Sequence, residues 1–290
     1  MKTKNGFTLL ENEKDVKEWL SKQKVTRKIT RLQVHMMDLP NYSTWEKTDK
    51  KVFSEPHFGR TQSLDSYGKS KWGCSDGHGH YIAQHLNIFP DGKITTGRNL
   101  NSTPIGIRGW NTNAICIEIY GCFNKGKDKM TEAQKKAVIY LYGLLCKRFN
   151  IPVDISHIRP HCWFTAGGTY LGKYIPSRSA KKCPGTNFWG YGCSPEGFAH
   201  FIKDVKNYVD GKKAEPKKEQ TKATKFEIVT LDKLNIRKVA DWDADPVTTV
   251  KKGQHLQVID TVDAKNGATK MYKLESGLYI TASDKYVKKV

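Results

Sequence analysis

The chain has 290 residues, of which 38% are hydrophobic and 27% charged, and its mean hydropathy is −0.62. This balance excludes wholesale disorder, and the length predicts one large domain or two of unequal size. A formal net charge of +20 favours an anionic partner, so nucleic acid, anionic lipid and the anionic bacterial wall are all open at this point.

The sequence offers no membrane or export signal. No run approaches the ~18–20 apolar residues that span a bilayer, and residues 1–25 carry Lys, Glu and Asp where a signal peptide has its apolar stretch. We therefore expect neither a membrane protein nor a Sec-exported one. The seven cysteines are odd in number and widely scattered, which disfavours a disulfide framework.

Helical and strand patterns alternate in the N-terminal part of the chain. Apolar residues at helical spacing predict a helix over residues 15–23, and the run LQVHMM predicts a strand at 32–37. Strands at 85–89 and 93–96 flank a Pro-Asp-Gly turn. The nearly all-apolar run AICIEIY at 114–120 is typical of a central strand that is buried on both faces.

Two longer helices follow these strands. Thr131 and Gln134 form the pattern of a capping box before a helix of about 18 residues. Ser194 is placed to cap a second helix, which ends at Gly211. Residues 1–211 are therefore predicted to form an α/β domain, a mixed sheet flanked by helices.

The remaining chain divides into a linker and a small domain. Residues 212–225 lack bulky apolar side chains and carry six Lys against two Glu, which predicts a tether. Residues 226–290 contain short alternating runs separated by turn residues, the pattern of a small all-β barrel or sandwich. The runs are FEIVTL at 226–231, LNIRKV at 234–239, HLQVID at 255–260, KMYKLE at 270–275 and LYITA at 278–282. This last region has 11 Lys and Arg against 9 Asp and Glu, so about +14 of the charge belongs to residues 1–211.

Glu118 is the residue that is hardest to explain as part of a core. By strand alternation it shares a face with Ala114 and Cys116, while three isoleucines point the other way. If both faces are covered, the carboxylate needs a partner or a proton; on an edge strand it would face water. The residues alone leave both interpretations open.

Imidazole and thiol side chains suggest a metal site. The candidate ligands are His35, His157, His161, Cys162 and Cys183. Three such ligands with an open fourth position are typical of catalytic zinc. Spacing does not select among them, because the sequence contains neither C-x-x-C nor H-E-x-x-H.

Five segments, taken together and in order, carry a family resemblance. They are QVH at 33–35, AQHLNIFPDGKITTGR at 83–98, NTNAICIE at 111–118, HCWF at 161–164 and KKCPGT at 181–186. With them, residues 26–208 resemble phage and bacterial type-2 N-acetylmuramoyl-L-alanine amidases, a family that is similar to the peptidoglycan-recognition proteins. The C-terminal region resembles bacterial Src-homology-3-like (SH3-like) wall-binding domains through LNIRK at 234–238 and the V-x-x-G-x-x-L-x-V pattern at 250–258.

The amidase resemblance implies a set of site residues. It implies Zn²⁺ held by His35, His161 and Cys183, with Glu118 as general base and Lys181 as a catalytic lysine. His157 stays an alternative to His161, since the preference rests on the adjoining Cys-Trp-Phe.

Two departures from the family pattern bear on substrate contact. Gln84 precedes His85 where some relatives have a catalytic tyrosine, and Trp110 stands where many relatives have a histidine. We therefore take Gln84 and Trp110 as candidate substrate-binding residues, and add Trp163 because its indole could stack on a sugar or peptide.

The resemblance also implies a function. It implies a phage endolysin that hydrolyses the amide between N-acetylmuramic acid and L-alanine, staying in the host cytoplasm until release. Peptidoglycan and associated anionic wall polymers are the expected partners, with no nucleic acid and no membrane. Alternatives are a host autolysin of the same activity and a non-catalytic peptidoglycan binder; a nucleic-acid-binding protein rests on charge alone.

Overall fold

The computed structural model describes residues 1–212, 224–228, 233–266 and 269–290. The chain divides into two compact units, Met1–Ala214 and Glu215–Val290. Residues 213–223, most of the predicted linker, lie outside the described residues. Among the helices that are described, none has the length and apolar character needed to cross a membrane.

A mixed sheet of seven strands forms the centre of the N-terminal unit. The strands are β1 (Lys2–Lys4), β2 (Phe7–Leu10), β3 (Arg31–Met36), β4 (Leu86–Ile88), β5 (Ile94–Thr96), β6 (Ala114–Ile119) and β7 (Ile158–Pro160). Their order across the sheet is β1-β2-β5-β4-β6-β3-β7. The last four in that order run parallel to one another, and the first three add antiparallel pairings at one side.

Helices surround this sheet. They are α1 (Glu13–Lys22), α2 (Tyr42–Thr44), α3 (Lys50–Val52), α4 (Pro56–Lys71), α5 (Glu132–Phe149) and α6 (Pro195–Val209), with a π-helical turn at Trp45–Asp49 and 3₁₀ turns at His161–Trp163 and Phe188–Gly190. The predicted helices and strands of this unit are confirmed to within two residues at their ends. The sequence analysis did not predict β1, β2, β7, α2, α3 or α4.

One face of the central strands packs against α5. The isoleucines of β6 are fully buried, and Val138, Leu141 and Leu145 of α5 are fully buried in the same cluster. Each such side chain contributes on the order of 1.5–3 kcal/mol by leaving water. Residues on the other face, Glu118 among them, are therefore held in fixed positions by a well-packed layer beneath them.

The N-terminus of α5 differs from the predicted capping box. Thr131 Oγ1 accepts a hydrogen bond from the Gln134 N–H (3.0 Å), as predicted. The Gln134 side chain does not return to Thr131; it is fully buried and donates to the carbonyl oxygens of Ile88 (3.0 Å) and Tyr120 (2.8 Å). A buried amide needs such partners, so this side chain joins α5 to the sheet.

The C-terminal unit is a sheet of seven antiparallel strands. They are β8 (Thr224–Ile228), β9 (Leu234–Arg237), β10 (Pro246–Val250), β11 (His255–Val262), β12 (Met271–Leu274), β13 (Tyr279–Thr281) and β14 (Val287–Lys289), in the order β10-β9-β13-β12-β11-β8-β14. Within the described part of this unit there is no helix, so the all-β prediction is confirmed. The sequence analysis did not predict β10 and β14, and part of the predicted run at 226–231 lies outside the described residues.

His85 is a buried histidine whose hydrogen bonds fix it in the neutral state. The Cys116 N–H donates to His85 Nδ1 (3.0 Å), so the ring proton is on Nε2, which faces the Ser102 carbonyl oxygen (3.0 Å). Burial, followed by the nearby Arg27 guanidinium, lowers the pKa of His85 from 6.5 to about 3. Protonation would break the bond from Cys116.

This pKa makes the stability of the N-terminal unit dependent on pH. Because the unfolded chain binds a proton near pH 6.5 and folded His85 only near pH 3, the stabilisation is complete above pH 6.5 and is lost as the pH falls. We expect the free energy of unfolding to fall between pH 6.5 and 3 more steeply in wild type than in His85→Asn, by up to about 1.4 kcal/mol per pH unit.

Urea unfolding followed by tryptophan fluorescence checks this, since six of the seven tryptophans lie in this unit. The free energy of unfolding is plotted against pH for both proteins. The difference between the two slopes gives the contribution of His85, because the other histidines are present in both proteins. Equal slopes in the two proteins would contradict the assignment.

Candidate metal centre

Three neighbouring parallel strands bring the predicted site residues together. Strand β3 lies between β6 and β7, and its register places His35 opposite Glu118 and Val34 opposite Pro160. His161 directly follows Pro160 at the end of β7, so it comes to lie beside His35. Residues 118 and 161 thus approach His35 from the two sides of its strand.

The predicted zinc ligands form a compact group. The ligand atoms of His35, His161 and Cys183 all lie within 4.8 Å of one another, and the two Nδ1 atoms are 3.2 Å apart. The Met36 N–H donates to Cys183 Sγ (3.1 Å), and the Cys162 N–H donates to the Cys183 carbonyl oxygen (2.7 Å). Backbone groups on both sides therefore hold the thiol against the histidines.

The protonation states of these side chains suit a metal. Burial lowers the pKa of His35 well below its usual value, and burial together with Lys181 lowers that of His161 to about 4. Both rings are therefore neutral at pH 7, with a lone pair to donate. Burial also raises the pKa of the Cys183 thiol, so the sulfur would give up its proton on binding a metal ion. Two imidazoles and a thiol are a donor set that zinc prefers, and this group could hold such an ion.

Glu118 lies next to this group without forming a salt bridge. Its Oε1 is 3.9 Å from His35 Nδ1, and burial raises its pKa to about 8, an effect that Lys181 partly offsets. Both members of the pair are therefore neutral at pH 7 when no ion is bound. Oε2 of Glu118 is buried and has no hydrogen-bond partner among the described residues.

Lys181 lies at the rim of the group. Its side chain is exposed, yet its positive charge lowers the pKa of both His161 and Glu118. The ammonium group is therefore close enough to act electrostatically on the centre.

The structure decides between His157 and His161, a choice that the spacing of the residues in the sequence left open. His157 is half-buried, and its Nδ1 is 2.8 Å from Asp154 Oδ1, away from the group of ligand atoms. His161, not His157, lies with His35 and Cys183.

The three candidate substrate contacts are largely buried. The Gln84 side chain is 5% exposed and donates to Asn87 Oδ1. Trp110 is 7% exposed and its ring packs against Phe164, while Trp163 is fully buried and its indole N–H donates to the Cys193 carbonyl oxygen (2.7 Å). Substrate contact by these residues stays a prediction.

One residue of the centre was missed by the sequence analysis. Gln33 is fully buried, and its Oε1 is 3.1 Å from Nε2 of His35. Residues two apart in a strand share a face, so the QVH run held the signal that could have identified Gln33.

Comparison with known proteins identifies relatives of both regions. A family profile described as N-acetylmuramoyl-L-alanine amidase matches residues 26–186, more than half of the chain, and one described as a domain of unknown function (DUF5776) matches residues 220–287. A search among curated proteins gave no match. The C-terminal match carries no function and does not test the SH3-like prediction.

Solved structures with some likeness to the chain include two from Clostridium intestinale URNW and one from Drosophila. The N-acetylmuramoyl-L-alanine amidase LysC is 19% identical, with 63% of this chain and 87% of that chain covered and a TM-score of 0.39. The endolysin N-acetylmuramoyl-L-alanine amidase LysCS is 21% identical, with 60% and 84% covered and a TM-score of 0.34. Drosophila PGRP-LB is 16% identical, with 45% and 69% covered and a TM-score of 0.35.

The geometry of the ligand group predicts the effect of removing single side chains. We expect His161→Ala and Cys183→Ser to abolish stoichiometric zinc binding, because each leaves only two of the three donors. His157→Ala should bind zinc like the wild type, since its ring bonds Asp154 instead. Metal analysis of the purified, dialysed proteins checks this; loss of zinc from His157→Ala would contradict the ligand set.

Proposed function

Since this chain belongs to the N-acetylmuramoyl-L-alanine amidase family, we propose that its N-terminal unit is a zinc-dependent enzyme that cleaves the amide between N-acetylmuramic acid and L-alanine in peptidoglycan. The observation that supports this most is the convergence of three zinc-type donors within 4.8 Å beside a carboxyl group with an unpartnered oxygen. In this proposal, His35, His161 and Cys183 hold the ion.

Zinc bound to these donors would supply positive charge that polarises the scissile carbonyl, activates water and favours the ionised form of Glu118. The residues of the chain would hold the ion and stabilise the charged form of its ligands. His35 and His161 bind as neutral imidazoles, which their lowered pKa values favour. The Met36 N–H stabilises the negative charge of the Cys183 thiolate.

Glu118 is suited to move the proton. A general base must have a free lone pair within reach of the attacking water, and Glu118 Oε2 accepts no hydrogen bond from any described residue. In the proposed reaction Glu118 takes a proton from water and delivers it to the leaving amino group of L-alanine. Its position opposite His35 across two paired strands fixes its distance from the ligands.

Lys181 is suited to stabilise the transition state. Its charge already acts on His161 and Glu118 in the free protein. A positive charge aimed at an oxygen that becomes negative during the reaction stabilises the transition state more than the ground state. We assign Lys181 this role toward the carbonyl oxygen of the substrate.

Glu118→Gln tests the proposed base. The amide keeps the size of the side chain but cannot accept and return a proton, so we expect zinc to remain bound while the rate falls by about a hundredfold or more. The assay measures new L-alanine amino groups released from purified walls, alongside the zinc content of the same protein.

Glu46→Gln is the matched control, because Glu46 is an exposed glutamate that forms an ion pair with Lys50 and lies outside the group of metal ligands. It should retain full activity. Full activity in Glu118→Gln would reassign the base, and a wild type that binds walls but releases no amino groups would favour the non-catalytic peptidoglycan binder.

For the whole chain we propose the role of a phage endolysin with a C-terminal wall-binding domain. Support comes from the order of its parts: an amidase-family unit, a Lys-rich segment and a small all-β unit whose sequence resembles SH3-like wall-binding domains. This role includes accumulation in the host cytoplasm until release and contact with anionic wall polymers. A host autolysin of the same activity would use the same site.

Truncation before residue 226 tests whether residues 226–290 bind the wall while the N-terminal unit carries out the hydrolysis. A tethered wall binder raises the concentration of enzyme at an insoluble substrate but not at a soluble one. We therefore expect the truncated protein to lose at least about tenfold in lysis of whole cells while it hydrolyses soluble muropeptide at the full rate. Equal losses on both substrates would indicate that residues 226–290 stabilise the catalytic unit instead.

A further inference from the structure

We propose that Gln33 is a positioning residue for His35, and that through it the backbone of residues 106–110 determines which ring nitrogen of His35 faces the metal. This inference rests on the proposed zinc site. In this proposal, a short loop that contributes no metal ligand controls the tautomer of one ligand, His35.

The argument begins at backbone groups, whose donor and acceptor roles are certain. The Gly106 N–H lies 3.0 Å from the side chain of Asn111 and can only donate, so the atom that it meets is the Asn111 oxygen Oδ1. The Trp110 carbonyl oxygen can only accept. The loop therefore presents two acceptors, one from its backbone and one from Asn111.

Both acceptors face the same end of the Gln33 side chain. Nε2 of Gln33 is 3.0 Å from the Trp110 carbonyl oxygen and 3.0 Å from Asn111 Oδ1. At the other end, Gln33 Oε1 accepts from the Ile107 N–H (3.3 Å). A reversed amide would set oxygen against two oxygens and an NH₂ group against an N–H, so the loop fixes the orientation of the amide.

The orientation of the amide then fixes the proton on His35. Gln33 Oε1 can only accept, and it is 3.1 Å from His35 Nε2, so Nε2 carries the hydrogen. The lone pair of the neutral ring is therefore on Nδ1, the atom that lies 3.2 Å from Nδ1 of His161. A hydrogen bond from the second ring nitrogen of a metal ligand to a protein oxygen holds the ring plane as well as the tautomer.

Burial makes this arrangement difficult to replace. Gln33 is fully buried and His35 is 2% exposed, so bulk water does not reach the bond between them. Space is also restricted, because a Cβ atom on Gly106 would lie 1.9 Å from Gln33 Oε1. Only glycine at this position leaves the amide oxygen where it meets His35.

Two variants test the proposal through zinc affinity, measured in the full chain by competition with a chromophoric chelator. Gln33→Leu removes the acceptor, and Gly106→Ala displaces it without changing its chemistry. We expect zinc affinity to fall by about 10–100-fold in Gln33→Leu and in the same direction in Gly106→Ala.

Gln134→Leu is the matched control. Gln134 is another fully buried glutamine of the same unit, but its amide bonds the carbonyl oxygens of Ile88 and Tyr120 and no metal ligand. We expect it to lower the urea midpoint of the metal-free protein while zinc affinity stays within about twofold of wild type. That contrast separates positioning from general stability.

A second measurement needs no metal. Long-range ¹H–¹⁵N correlation spectra of the metal-free wild type should show the His35 ring protonated at Nε2 alone, and those of Gly106→Ala should show a mixture of tautomers. If Gln33→Leu does not fold, Gly106→Ala carries both measurements.

The outcomes separate this proposal from the proposed function. Unchanged zinc affinity in both variants, or an equal loss in Gln134→Leu, overturns the role of Gln33 and leaves the zinc amidase intact. A wild type that binds no zinc overturns both. A selective loss in Gln33→Leu and Gly106→Ala, with a single His35 tautomer in the wild type, supports the proposal.

Discussion

The site depends on the register with which β3 pairs with β6 and β7. That register sets His35 opposite Glu118 and brings His161 to the end of the neighbouring strand. Side chains alternate between the two faces of a strand, so a slip of one residue would turn His35 into the apolar layer and a valine or methionine toward the ligands. The packing of the isoleucines of β6 beneath the sheet therefore also specifies the chemistry above it.

A row of polar side chains crosses the sheet at the level of the site. Thr95, Asn87, Glu118 and His35 are register partners on four adjacent strands. Thr95 bonds Asn87 and also Thr61 of α4, Asn87 accepts from Gln84, and His35 bonds Gln33.

The carboxyl group of Glu118 is the exception in this row, because its buried Oε2 has no hydrogen-bond partner among the described residues. Unsatisfied buried groups are costly, and proteins retain them mainly where a ligand or a reaction completes them. The unsatisfied oxygen lies beside the one group of potential metal donors found in the described chain, which is why we assign it a chemical rather than a structural role.

Strand alternation was enough to predict that Glu118 faces away from the isoleucine layer, and helical spacing was enough for α1, α5 and α6. Helix α4 escaped prediction because its buried side is mostly not apolar: beside Phe58, the buried residues are His57, Thr61 and Gly68, and hydrogen bonds hold the side chains of His57 and Thr61. Periodicity of apolar residues cannot detect such a helix. The choice of His161 over His157 likewise required β7, a strand of three residues that carries no pattern of its own.

Within the proposed function, the charges that would attract the protein to the wall are different from the groups that would carry out catalysis. Most of the net charge belongs to residues 1–211, whereas residues 226–290 carry nearly equal numbers of basic and acidic side chains. A wall-binding domain with so little net charge would have to recognise its target by specific contacts, while the field of the catalytic unit acts on any polyanion. That field is screened within about 8 Å at physiological ionic strength, whereas buried groups such as His35 and Glu118 are screened much less. Salt would therefore weaken the approach to an anionic wall before it altered the protonation of the site.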